Sequence, residues 1–238
     1  MPPATDLVGV ERREGGVAIV ELRRPEKRNA LSIELRAELA DTLAALGEDD
    51  ELRCAVLTGA GSAFSAGMDV TQFGGDEANR RALVETSEAM FDGVARFPLP
   101  LVAAVNGPAI AGGFVLALLC DARIAGTGAS FGFPEVGRHI PPSYAAARAV
   151  LPPATARWLC LTGQVVDAEG ALRLGIASEV VDDVALRMRA IELATGIAAA
   201  SPWTLRELKR RILLDHERLL FPLFQDEARV FRERVLGA

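Results

Sequence analysis

"NGPAIAGGFVLALLCDARIAG", residues 106 to 126, decides how this chain is built. It follows "LVAAV" (101–105), an apolar run that reads as a buried strand. Two adjacent glycines, Gly112 and Gly113, then head the run Phe114 to Cys120, where nothing ionises at pH 7. The pattern predicts a strand, a glycine turn and a short helix, with bare backbone N–H groups directed outward at the turn. "ARIAG" (122–126) reads as the next strand.

Working outward, the same alternation recurs. "GGVAIVEL" (15–22) is rich in β-branched residues and reads as a strand closed by the loop "RRPEKRNALS". Ser32 is placed as an N-cap, and Leu35, Leu39, Leu43 and Leu46 follow at helical spacing. "CAVLTG" (54–59) is an apolar strand, and "GAGSAFSAGMD" after it a loop. Residues 76–97 carry Leu83, Met90, Phe91, Val94 and Phe97 on one helical face. The order predicts an α/β fold with largely parallel strands buried on both faces. Past residue 143 strands nearly stop, "ASEVV" (177–181) excepted. "DAEGALRLG" (167–175) is a short helix closed by Gly175, and "SPWTLRELKRRILLDHE" begins with a serine cap and a first-turn proline.

Composition narrows the classes. The 238 residues suit one domain of ordinary size, and 50% apolar content provides a substantial core. A net charge of −6 argues against nucleic acid as a partner. No apolar stretch reaches the length of a membrane span. "MPPATDLVGVERREGG" lacks a basic segment followed by an apolar one, so no signal peptide is expected. Cys54, Cys120 and Cys160 are widely spaced, which fits a reduced cytoplasmic chain. The two histidines, His139 and His216, lie far apart, so no metal site is expected.

"VLTGAGSAFSAGMD" echoes "AVNGPAIAGGFV": strand, glycine, loop, Ala-Gly. Ligands of open α/β folds sit at the carboxyl ends of strands. Two such turns there either are ordinary tight turns or aim two N–H groups at one point, as an oxyanion hole does.

The ordered set "RPEKRNALS", "LTGAGSAFSAGMDV", "VNGPAIAGGFVLALLCDARIAG", "FGFPEVG" and "LTGQVVDAEGALRLGIASEVV" resembles the crotonase superfamily, the enoyl-CoA hydratase/isomerase family. That resemblance implies a spiral of ββα repeats over residues 1–181. It implies a helical trimerisation region over 182–238, and a homotrimer or hexamer. An acyl-CoA thioester is the implied substrate, with coenzyme A part of it and no further cofactor. The oxyanion donors then fall on the N–H groups of Met68 and Gly112, and the acid/base on Glu135. Phe131, Phe133, Pro134 and Val136 flank Glu135, apolar company that raises a carboxyl pKa.

Hydratases of the family use a second glutamate, three residues beyond the oxyanion glycine. Here that position is Val115. One base suffices to move a double bond from C3 to C2, so the resemblance is more isomerase-like than hydratase-like. Hydratase, lyase or hydrolase chemistry and acyl-CoA binding without catalysis are the alternatives. The implied CoA- and substrate-binding set is Lys27, Arg28, Ala30, Ala66, Asp69 and Tyr144. Asp69 is expected mainly to fix its loop, and Tyr144, in "PPSYAAA", either packs in the core or faces the acyl group. His139 reads as an exposed loop residue and "KRR" (209–211) as a polar helix face. Leu219, Leu220, Phe221, Leu223 and Phe224 pack either on the chain's own core or on another subunit.

Overall fold

A computed structural model describes residues 6–237. Residues 1–5 and 238, the outer ends of the two expected regions, lie outside the described residues. In chain order the elements are β1 (Val8–Arg13), β2 (Val17–Leu22), α1 (Ile33–Gly47), β3 (Cys54–Gly59) and α2 (Glu77–Ala95). Then come β4 (Leu101–Val105), β5 (Pro108–Ile110), α3 (Gly112–Leu119), β6 (Ala122–Gly126) and β7 (Ser130–Gly132). They are followed by α4 (Tyr144–Val150), α5 (Pro153–Thr162), β8 (Val165–Asp167), α6 (Ala168–Arg173) and β9 (Glu179–Val181). Three helices close the chain: α7 (Asp183–Ala198), α8 (Pro202–Leu219) and α9 (Phe221–Leu236).

The main sheet has the order β1-β2-β3-β4-β6-β9. The β1–β2 pair is antiparallel and every other pair parallel. A smaller sheet, β5-β7-β8, stands beside it. The stretch from β4 through β5 to α3 is one ββα unit: its first strand joins the large sheet and its second the small one. The sequence reading passed over β1 and the second sheet. Strands of three residues such as β5, β7 and β8 are too short to display a period, and β1, at a sheet edge, is buried only at Val8 and Gly9 and shows no alternation.

Both faces of the main sheet are covered. Within β2, Ala18 and Val20 face one core and Val17 and Ile19 the other, as the two-residue strand period requires. The first core holds Leu35, Leu39 and Leu43 of α1 with Met90 and Val94 of α2. The second is closed by Leu186, Ala190, Ala194 and Ala198 of α7. Ser32 caps α1 by accepting from Leu35 N at 3.2 Å, and Ser201 caps α8.

One expectation about the tail needs correction, and another resolves residue by residue. Lys209 is not on a polar helix face: it is 2% exposed and donates to both oxygens of Asp121 at 2.7 Å. Its four-carbon stem crosses apolar packing and delivers the ammonium to a single carboxylate. The apolar run at 219–224 also divides. Leu220 and Phe221 are buried in the chain's own core, Phe224 packs edge-on against Phe91, and Leu219 and Leu223 stay exposed. Arg96 lies 3.7 Å above the Phe221 ring. Among the described residues no helix is long and apolar enough to cross a membrane.

Candidate active site

The site is assembled where strands end. β5 and β7 run parallel, with Ile110 beside Gly132, so the residues after each strand leave the small sheet on the same side. From one strand end emerges the Ala111–Gly112 turn, and from the other Phe133, Pro134 and Glu135. Ala111 N donates to Gly132 O at 2.9 Å and ties the two exits together. Ala111 itself holds φ 52° and ψ −121°, a conformation that strains any residue with a Cβ. The distortion releases the chain from the strand directly into α3.

Gly112 opens α3, and Gly113 rests against the Ser65 carbonyl so closely that a side chain there would overlap it. The second glycine turn meets the first at this point. Gly67 has φ +86°, and a Cβ on it would sit 2.8 Å from Ile110 O and 3.1 Å from Gly112 N. The Met68 and Gly112 N–H groups donate to no partner among the described residues. Two unpaired donors on touching turns form an arrangement able to hold a negatively charged oxygen.

Buried polar residues, unremarked in the sequence reading, lock the turns in place. Asn29 accepts from Arg24 N at 2.9 Å and donates to Ala60 O and Ala63 O at 2.9 and 2.7 Å. Ser65 donates to Asn29 O at 2.8 Å and accepts from Gly67 N at 3.2 Å. Leu31 N donates to Gly67 O at 2.8 Å, and Ala66 N to Arg28 O at 2.9 Å. The one sequence clue was "RNALS" itself, a polar residue just before a helix cap; its burial follows only once the two loops meet.

Asp69 is 8% exposed; it accepts from Thr71 N and Oγ1 and pairs with Arg24 at 3.0 Å. These contacts hold its loop, and its carboxyl lies below the usual range because they outweigh desolvation. Lys27 and Arg28 are exposed on the neighbouring turn, and the Ala30 carbonyl accepts from Arg24 at 2.6 Å.

Glu135 sits in a 3-10 turn, Pro134–Arg138. Its Oε2 is buried without a hydrogen-bond partner, and burial raises its pKa to about 7. Phe133 and Phe131 pack on Phe114 of α3, with ring centroids 4.7 and 5.7 Å apart. Val115, 5% exposed, is part of the same core and brings no second carboxylate. Tyr144, half-buried, lines a cavity of about 450 Å³ with Val136, His139, Ile140, Cys160 and Leu161. His139 is exposed, with φ 61°. The structure thus joins Met68, Gly112, Ala66, Asp69 and Ala30 through contacting loops, and links Glu135 to them through Gly132 and Phe114. Lys209, drawn into the core beside Asp121, belongs to no part of this group.

The family model described as enoyl-CoA hydratase/isomerase matches residues 12–235. The (E)-benzylidenesuccinyl-CoA hydratase of Thauera aromatica is 38% identical over 210 residues, covering 83% of this chain and 79% of that one. The hydroxycinnamoyl-CoA hydratase-lyase of Pseudomonas fluorescens is 34% identical, covering 82% and 74%. A solved enoyl-CoA hydratase/isomerase from Mycobacterium paratuberculosis superposes with a TM-score of 0.90 at 28% identity, over 98% of this chain and 95% of that one. A monofunctional enoyl CoA isomerase from M. smegmatis gives 0.72 at 32% identity, over 87% and 91%.

Proposed function

Because this chain belongs to the enoyl-CoA hydratase/isomerase family of the crotonase superfamily, we propose that it moves a double bond within an enoyl-CoA, from C3 to C2. In this reading Glu135 is the base. It takes a proton from C2 of the 3-enoyl thioester, and the electron pair moves onto the carbonyl oxygen as an enolate. The N–H groups of Met68 and Gly112 hold that oxygen, and the positive end of α3 adds to the field. The protonated Glu135 returns its proton at C4, and the double bond now lies between C2 and C3.

The observation that carries the reading is the desolvated carboxyl of Glu135, with no carboxylate at position 115. Glu135 has a desolvated oxygen and a pKa near neutrality, so it can accept and return a proton at pH 7. At position 115 the side chain is a buried valine. Hydration of a 2-enoyl thioester asks one group to activate water and another to place it or deliver the proton. Hydration through Glu135 alone is the second reading, favoured by the hydratase names of many relatives.

Lys27 and Arg28, exposed cations beside the site, suit the phosphates of coenzyme A. Ala30 and Ala66 offer backbone to the ligand, Asp69 fixes the turn, and Tyr144 faces the acyl group. No further cofactor is required. The exposed Leu219 and Leu223 support a homotrimer or a hexamer of paired trimers, with residues 182–238 as its assembly region, in a chain that works in the cytoplasm.

The test is a purified sample given 3-enoyl-CoA thioesters of several chain lengths, with absorbance of the conjugated 2-enoyl product followed. Turnover that Glu135→Gln removes, with acyl-CoA affinity retained, supports the proposal. Hydration of 2-enoyl-CoA without isomerisation would replace it by the second reading.

A further inference from the structure

Among the described residues four charged side chains are almost wholly buried, and three of them have strong hydrogen-bond partners. Asp69 meets Arg24 and Thr71, Lys209 meets Asp121, and Arg123 donates to Ile176 O at 2.5 Å and Cys120 O at 2.6 Å. Arg36 is the exception. It lies on the buried face of α1 at 0% exposure, and its Nε and Nη2 atoms are buried with no partner. Its single side-chain hydrogen bond runs from Nη1 to the Met68 sulfur at 3.1 Å, and a thioether is a weak acceptor. Glu34 and Asp69 act on it only through space: Asp69 is engaged by Arg24 and Thr71, and Glu34 by Gln72.

A dehydrated guanidinium is costly and does not escape by losing its proton near neutral pH. Its pKa falls only to about 10, driven by burial. Such a group persists where an anion joins it. It stands against the side chain of Met68, whose backbone N–H is one of the two unpaired donors. Met68 is half-buried and unbranched, so its side chain can swing aside at low cost.

We propose that Arg36 is a specificity residue for acyl groups that carry a free carboxylate, which enters beside Met68 and pairs with the guanidinium through Nε and Nη2. The planar fork of arginine matches both oxygens of a carboxylate. This rests on the acyl-CoA reading and adds to it the chemical class of the acyl group. A neutral acyl chain would leave the donors unpaired, so the site discriminates by what stays unsatisfied as well as by what it binds.

The experiment uses two saturated five-carbon thioesters, glutaryl-CoA and pentanoyl-CoA, titrated calorimetrically into the full chain so that no turnover is needed. Glutaryl-CoA is expected to bind at least tenfold tighter. Arg36→Met, similar in volume and apolar, is expected to abolish that preference, leave pentanoyl-CoA binding unchanged or tighter, and raise Tm, because an unpaired buried charge is gone. Equal affinity of the wild-type chain for the two thioesters overturns the inference, whether or not the variant folds. So does a preference that survives in Arg36→Met, or a fall in Tm with that preference retained. Binding of neither thioester would instead defeat the acyl-CoA reading itself.

Discussion

Phe114 and Phe133 pack with their ring centroids 4.7 Å apart, and the contact joins the turn bearing Gly112 to the turn bearing Glu135. Phe114 lies two residues beyond the glycine and Phe133 two before the glutamate. A displacement of either turn is therefore transmitted to the other through a rigid pair of rings. Phe114→Leu is expected to cost about 1–3 kcal/mol of stability. It is also expected to lower kcat more than KM rises, which steady-state kinetics on an enoyl-CoA would show.

The pH dependence follows from Glu135. Its folded pKa of about 7 stands above the ordinary carboxyl value of 4.5, because burial penalises the charge. A base must be ionised, so kcat/KM is expected to fall below about pH 7 with a single limb. For stability the sign is the opposite of a salt-bridged carboxylate. Above pH 4.5 the unfolded chain releases this proton more readily than the folded one, so folding stability declines from there to about pH 7 and then levels. Glu135→Gln removes that penalty. Its Tm is expected to exceed the wild type by more at pH 8 than at pH 5, as thermal melts at the two pH values would reveal.

Gly67 and Asn29 hold the Met68 turn by different means. Gly67→Ala would put a Cβ at φ +86° and 2.8 Å from Ile110 O, so the backbone must shift. Asn29→Ala removes three hydrogen bonds in the interior. Each is expected to destabilise by roughly 2–4 kcal/mol. Activity is expected to drop at least tenfold even at temperatures where the variants remain folded. Denaturant melts paired with rate measurements separate the two effects; a variant with full activity would show that the turn tolerates displacement.

Lys209 and Asp121 form a pair that tolerates no half-measure. Asp121→Asn leaves an ammonium at 2% exposure without its counter-charge. The expected loss is about 3–5 kcal/mol, against a much smaller loss when Lys209→Met is combined with it. A double-mutant cycle in urea measures the coupling.

Assembly is addressed by point changes rather than truncation. Removing residues 217–238 would take Leu220 and Phe221 out of the chain's own core, so loss of structure and loss of assembly would coincide. Leu219→Asp with Leu223→Asp alters only exposed positions. A trimer or hexamer is expected for the wild type in multi-angle light scattering at micromolar protein, and a folded monomer near 25 kDa for the variant. A wild-type monomer would remove assembly from the account.

The long periodic elements were readable from sequence because periodicity reflects burial. Leu35, Leu39, Leu43 and Leu46 lie on one face of α1, and all are buried. The glycine turns were readable because Gly67 holds φ +86° and Gly113 lies against the Ser65 carbonyl, where a side chain does not fit. Arg36 and Lys209 were not, since a cation at helical spacing carries no mark of whether it meets water or a neighbouring helix. Asn29 and Ser65 escaped for a related reason: their partners are backbone atoms of another loop, and polar side chains that hold backbone leave no period. The small sheet escaped because three-residue strands such as β5 and β8 are defined by their neighbours and not by themselves.

Three unbonded thiols lie at three depths of the fold. Cys54 sits in β3, Cys120 ends α3, and Cys160 borders the cavity beside Tyr144; burial pushes each up to about 12. As thiols they are nearly inert toward alkylating reagents while the chain stays closed. Each therefore times a different opening event. Labelling of Cys54 reports rupture of the central sheet, and labelling of Cys160 reports the breathing of α5 alone. The chain carries built-in clocks whose ratio, with and without bound thioester, would show how far ligand stiffens the wall of its own cavity.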